Sequence, residues 1–453
     1  MPEDPHAPAP PDTPSHDVPD RIDAPTASAD AEAIPTGIRR AEHAAGITTL
    51  ASFAERDFRW FWTGAFLSNV GTWMQTAALG WLVFALTNDE LALGLVNFAS
   101  GVPVFLFILF AGAAADRLDR RKLLIWMQWP MLLQALALGV LTTTGHVTMA
   151  WVYALSVFGG IFTAFMFPAW QAAIPDLVPK RLLLNAISLN AAQFNGARFV
   201  GPLIAGWVFL LFAKDASAGS AAVFYTNAAS FLAVIGALSV IRPCQTERPH
   251  DEGGVLQRLG AGIRYAWSTP VVRVLLVTQA FLTLFGMPIT ALLPSLAKET
   301  LGQGQVGYSV LLACSGAGAL TGALLMASLK PTVRRERIIV TAVPALGLLT
   351  LGIALSRTVW ATGVLLYVAG IAFLSAVSTV NTSLQSTVPP QLRGRVMSLF
   401  VLSFIGIMPF GALAFGALGR AQGTPFALGA GAAVLTLYGA ALALRPRAVA
   451  TAA

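Results

Sequence analysis

Twelve apolar segments, each about 20 residues long and almost free of charge, follow one another between residues 60 and 444. About 20 consecutive apolar residues cross the roughly 30 Å hydrocarbon core of a bilayer as one helix. Inside that core a backbone must satisfy its own hydrogen bonds, so such segments are helices or nothing stable. The spans are expected at 60–86, 92–115, 123–144, 148–170, 186–212, 220–241, 271–295, 307–329, 338–356, 359–383, 396–418 and 424–444. Composition closes off the alternative: 11% of the residues are charged, less than half the share of an ordinary soluble domain, roughly a quarter. A cytosolic globular enzyme is excluded, and an all-α membrane protein with antiparallel neighbouring helices is expected.

Little of the chemistry of cofactors or metals is available to this chain. Its two cysteines, Cys244 and Cys314, form no CxxC pair, and its five histidines fall in tails or loops. No metal site is expected. No Walker A loop is present, which removes ATP as an energy source. No cofactor is expected.

Five regions differ in composition. Residues 1–50 hold nine of the 27 prolines and nine acids against three bases. They read as a disordered acidic tail, because they lack the apolar surface to offset the entropy of ordering. Residues 51–241 carry the first six spans and 270–445 the second six, with a short tail at 446–453. Between the halves, 242–269 places Leu256, Leu259, Ile263, Ala266 and Trp267 at helical spacing with Arg258 and Arg264 between them. That pattern suits a helix lying in the membrane interface with its bases among the headgroups; a soluble linker helix is the alternative.

The tail's charge of −6 leaves +13 on the membrane body of a chain whose net charge is +7. Of the 29 bases, 24 fall on the tail's side of the spans, four on the other, and one, Arg198, inside a span. Excess base marks the cytoplasmic side, so both termini are expected in the cytoplasm. The basic balance is a topology signal, and no nucleic-acid partner is expected.

The halves are related to each other. A shift of 210 positions superposes Gly112 on Gly322, Gly160-Ile161 on Gly370-Ile371, Val178-Pro179 on Val388-Pro389, Gly201 on Gly411 and Gly206 on Gly416. A parallel repeat of six helices is an architecture in which two bundles rock about a site between them.

Two motifs carry a resemblance. After span two comes Gly112-Ala-Ala-Ala-Asp116-Arg117-Leu-Asp119-Arg120-Arg121-Lys122, which resembles the loop signature of the major facilitator superfamily, with Asp119 where glycine is usual. In span five, Ala197, Gly201-Pro202 and Ala205-Gly206 look like the packing motif of drug/proton antiporters, with two glycines replaced by alanine. Small residues there permit close helix approach, and the proline loosens the local ladder. Asn69-Val-Gly71-Thr72-Trp73-Met74-Gln75 and the run from Gly159 to Gly206 are similar to the enterobactin-exporter-like, or transmembrane secretion effector, branch. The resemblance implies the major facilitator fold, twelve helices in two pseudo-symmetric halves. It further implies that Gly112, Asp116, Arg117, Arg120 and Arg121, with Arg393 and Arg395 of the other half, form a conformational latch. Arginines that merely fix topology are the alternative.

Arg198 is the residue on which most is staked. A helix starting near 187 carries it about 16 Å inward at 1.5 Å per residue, close to the midplane. Arginine at that depth costs roughly 2.5–3.5 kcal/mol on insertion scales, and no acid is expected inside a span to pair with it. A wet cavity or an anionic or carbonyl-rich solute group is the functional partner; neighbouring amides and carbonyls are the structural one. In the implied fold Asn69, Trp73 and Thr76 share a face of span one at i, i+4 and i+7, joined by Gln193, by Gln279 and Thr283 of span seven, and by Ser378 of span ten. Each alone is a common helix–helix hydrogen-bonding group. Together with Phe, Trp and Met they outline a large, mostly apolar cavity with sparse polar anchors.

The expectation is a bacterial inner-membrane exporter, not an enzyme, expected as a monomer. It moves an amphiphilic organic solute such as a siderophore or drug, with the proton inherited from the resemblance as coupling ion. A flippase for a lipid-like solute, an uncoupled facilitator, and a membrane sensor or scaffold using the acidic tail are the alternatives.

Overall fold

A computed structural model describes residues 49–242, 255–329 and 333–445. The acidic tail apart from its last two residues, most of the linker loop and the C-terminal tail lie outside the described residues. Gly112, Asp116 and Arg117 are placed by their backbone alone. The first six spans are α1 (Arg56–Thr87), α2 (Glu90–Arg117), α3 (Arg120–Thr143), α4 (Met149–Ala173), α5 (Leu183–Leu211) and α6 (Ala216–Val240). The linker helix is α7 (Val255–Ser268). The second six are α8 (Pro270–Thr300), α9 (Gln305–Ser328), α10 (Arg335–Leu355), α11 (Val359–Thr387), α12 (Pro390–Gln422) and α13 (Thr424–Leu444). All twelve spans expected from sequence are helices long and apolar enough to cross a membrane.

The helices are delimited by local chemistry. Asp89, Asp119 and Asp215 accept backbone N–H bonds from the first turns of α2, α3 and α6 (2.9, 3.1 and 2.9 Å), the capping that an isolated helix start requires. The Asp119 that departs from the usual loop signature thus caps α3. Hydrogen bonds from the Ser217 hydroxyl and the Ala218 and Ser217 backbone hold the Asp215 carboxyl below the ordinary carboxylate range. Asn88 ends α1 in the left-handed region (φ 47°), which makes a two-residue turn into α2 possible.

Large apolar side chains such as Trp126, Leu348, Leu437 and Trp360 point outward (70, 58, 71 and 85% exposed), as befits an exterior meant for lipid. α8 and α12 each open into a π-helical turn, at Leu282–Gly286 and Leu402–Gly406. Pro288 and Pro409 lie just beyond them and supply no N–H to the ladder, a recognised cause of such irregularity.

Residues Leu50–Ala453 form one unit, within which the halves touch along two seams, α5 against α9 and α12 against α2. The internal repeat explains the pair. Gly206 of α5 lies where a Cβ would meet Ser309 of α9 at 3.1 Å, and its repeat-mate Gly416 of α12 lies where a Cβ would meet the Glu90 carbonyl of α2 at 2.7 Å. The same residue type, 210 positions apart, lets backbones of opposite halves approach in both seams.

Candidate functional site

The seams are asymmetric along their length. Among the described residues, every hydrogen bond and ion pair joining the halves lies at one end of the bundle. Glu90, the first residue of α2 and 6% exposed, accepts hydrogen bonds from Ser295 of α8 (2.7 Å) and Thr424 of α13 (3.4 Å), whose hydroxyls also meet at 2.8 Å. Lys298 donates to Asn88 (2.6 Å), Gln305 to the Ala216 carbonyl (2.9 Å), and Arg420 pairs loosely with Asp89 (3.5 Å). Trp81 stacks on Tyr308 across the same region. At the other end the first part of α12, Pro390–Val401, packs on α7, α8 and α11 of its own side. One end is therefore clasped shut.

Arg198 sits fifteen residues after Leu183 and thirteen before Leu211, at the centre of α5. α9 comes so close at this level that a Cβ at Gly316 would overlap the Arg198 carbonyl oxygen. The guanidinium lies over the indole of Trp73, 5.4 Å from the ring centroid, and Phe194 meets that indole edge-on at 6.3 Å. Cation–π contact of this kind stabilises by about 0.5–2 kcal/mol depending on desolvation. No acid or amide of the described residues bonds the side chain. Arg198 also lines a cavity of ≈ 20 Å³ whose other walls belong to the C-terminal half, with Met287 and Thr290 of α8, Ser315 of α9, Thr350 of α10 and Phe373 of α11 among them.

The remaining expected cavity residues divide. Asn69 is half-buried on the face of Trp73. Thr76 is exposed and bonds the Thr72 carbonyl of its own helix (2.9 Å). Gln193 is buried and its Nε2 has no partner. Gln279 and Thr283 bond each other (3.1 Å) deep inside α8, with Gln279 Oε1 unpartnered. Ser378 is half-buried. Of this set, Arg198 touches Trp73 and Gln279 touches Thr283; Ser315, Thr290 and Thr350, which line the same cavity as Arg198, are not singled out by the sequence. In α5, Ala197 and Pro202 are buried, and Gly201 abuts Val70 and Trp73 of α1.

Of the expected latch residues with described side chains, Arg120 and Arg121 are engaged within the N-terminal half. Arg120 is 8% exposed and pairs with Asp176 after α4. Arg121 donates to the Leu238 carbonyl at the end of α6 (2.7 Å). Arg393 is exposed and Arg395 lies against Gly262 of α7. No group of three or more metal-ligating side chains occurs among the described residues. A network unannounced by spacing runs through the N-terminal half, where Gln75 donates to Gln134 (3.0 Å) and accepts from Asn227 (2.8 Å).

Comparison with known proteins gives one consistent answer. The model of a family described as transmembrane secretion effector matches residues 47–452. The multidrug efflux pump Tap of Mycolicibacterium fortuitum is 29% identical over 377 residues, covering 81% of this chain and 88% of that one. The staphyloferrin A transporter of Staphylococcus aureus is 26% identical (78% and 87% covered), and the enterobactin exporter EntS of Escherichia coli is 26% identical (82% and 86%). In fold, the chain is similar to a bacterial homologue of the lysosomal transporter Spinster, with a TM-score of 0.68 at 16% identity, 87% of this chain and 98% of that one being covered. A POT family transporter gives 0.68 at 11% identity, with 87% and 97% covered.

Proposed function

The chain belongs to the transmembrane secretion effector family of the major facilitator superfamily, and from that premise we propose that it exports an amphiphilic organic solute by alternating access, driven by proton antiport. It is a multi-pass inner-membrane efflux transporter and not an enzyme. The observation that carries the alternating-access reading is the one-sided clasp: two repeat-related halves whose polar bonds to each other, among the described residues, lie at one end are arranged to pivot about a central site. Arg198, placed at mid-depth where the halves meet, is the polar anchor of that site.

The excess of bases on the tail's side supports cytoplasmic termini, which makes the clasped end the outer one. The halves correspond to 51–241 and 270–445. Exposure of Ile263, Arg264 and Trp267 on α7 supports an interfacial position for the linker. A monomer contains both seams and needs no second copy to form the site. An uncoupled facilitator remains the second reading, favoured by the scarcity of acids within the spans.

Reconstituted protein with an imposed pH gradient tests the proposal. An antiporter accumulates an amphiphilic dye against its concentration, whereas a facilitator only equilibrates it. Arg198→Met is expected to insert normally and lose transport. Dye movement indifferent to the gradient would remove proton coupling, and full transport by Arg198→Met would remove Arg198 from the mechanism.

A further inference from the structure

We propose that Arg198 and the hydroxyl-lined cavity it faces form a subsite for one acidic group of the solute, so that the cargo is an organic anion. This rests on the efflux reading above and adds the charge class of what is carried.

Guanidinium presents five N–H donors and no acceptor. The Trp73 face attracts its charge but takes none of those donors in plane, and no described residue accepts a hydrogen bond from the side chain. Of the three hydroxyls in the cavity wall, Thr290 bonds the Met287 carbonyl and Thr350 the Leu346 carbonyl, each at 2.8 Å. Ser315 differs: it is 6% exposed, lines the cavity, and its hydroxyl has no hydrogen-bond partner among the described residues. A guanidinium and the hydroxyl of a buried serine, neither bonded to a described residue, thus line one cavity. Its ≈ 20 Å³ is above the ~10–15 Å³ that one water-sized group requires, so it takes an oxygen and not a ring.

One oxygen of a carboxylate, phenolate or sulfonate meets both needs. It accepts a charge-assisted bond from the guanidinium and a second from Ser315, and it neutralises a charge that is costly at this depth. A neutral carbonyl accepts the bonds but leaves the charge uncompensated. An ammonium is repelled, and the rest of the solute is left to the aromatic side of Trp73 and Phe194.

Fluorescence anisotropy on the full chain in lipid nanodiscs tests this with two dyes, anionic carboxyfluorescein and cationic ethidium. Wild type is expected to bind carboxyfluorescein the more tightly. Ser315→Ala should weaken that binding by about tenfold, as loss of a hydrogen bond to a charged group does. Arg198→Met should weaken it by more, and Arg198→Lys, which keeps the charge, by less than Arg198→Met; ethidium binding should not fall in any of them. Carboxyfluorescein binding unchanged in both Arg198→Met and Ser315→Ala overturns the subsite, as does wild type that binds neither dye or prefers ethidium. Efflux of the same dye from cells separates the two readings: binding without export defeats the exporter and leaves the subsite, whereas export that survives both substitutions defeats the subsite alone.

Discussion

Arg198 shows how far a single residue can be read without its neighbours. Its depth follows from counting along α5, and the cost of that depth already demands a partner. The partner's identity does not follow, because spacing places residues on faces of one helix and says nothing of which other helix comes opposite. Ser315 and Thr350 lie more than a hundred positions away and look like any helix hydroxyl. Glu90 was hidden for another reason: a charge ahead of an apolar run reads as its boundary, and only the two-residue turn at Asn88–Asp89 hints that it is drawn into the seam. Arg120 gives a prediction at this scale. Removing one partner of a buried ion pair costs about 3–5 kcal/mol, so Arg120→Ala should lower folded yield in membranes, measured by fluorescence size exclusion, even though the pair lies within one half. Asp215 gives a second. Its carboxyl is held below its usual range by bonds that exist only in the folded state. Its stabilising contribution is therefore present above the unfolded value of 3.8 and is lost as pH falls through the lower folded value. Asp215→Ala should reduce the melting temperature at neutral pH and narrow its difference from wild type in strong acid, as read by differential scanning fluorimetry.

Among the helices, the two seams are the elements on which motion depends. Their glycines were visible as repeat-mates in sequence, since a single shift of 210 brings Gly206 onto Gly416. That both face the opposite half was not visible, because the repeat relates each half to the other without saying where they touch. Gly416→Val forces a side chain against the Glu90 backbone and should leave insertion intact while slowing dye export at least about tenfold, given the 1–3 kcal/mol typical of overpacking. Glu90→Ala removes the acceptor shared by Ser295 and Thr424. Spin labels at Ala85→Cys and Ala421→Cys, both exposed at the clasped end and one on each half, should then report a longer mean distance than in the parent chain. An unchanged distance distribution would show that the clasp does not hold that end.

For the molecule as a whole, the fold was legible from hydropathy and repetition, because lipid imposes one rule on every span. The conformation was not legible: a sequence specifies both end states of a pivot and favours neither on the page. The loop signature points to a latch at the tail's end, yet in this state the polar bonds between halves among the described residues are all at the opposite one. Removing residues 1–48 should leave export near the parent level in whole-cell assays, since the whole described transport unit begins later; a collapse of export would favour the scaffold reading instead. One arrangement reaches beyond single substitutions. The cation of the central pocket is supplied by one bundle and its walls by the other, so neither bundle owns recognition. Chimeras that borrow an entire bundle from a relative should therefore assemble well and still discriminate poorly, and new specificity in this lineage has to arise by paired changes in two distant stretches of the gene.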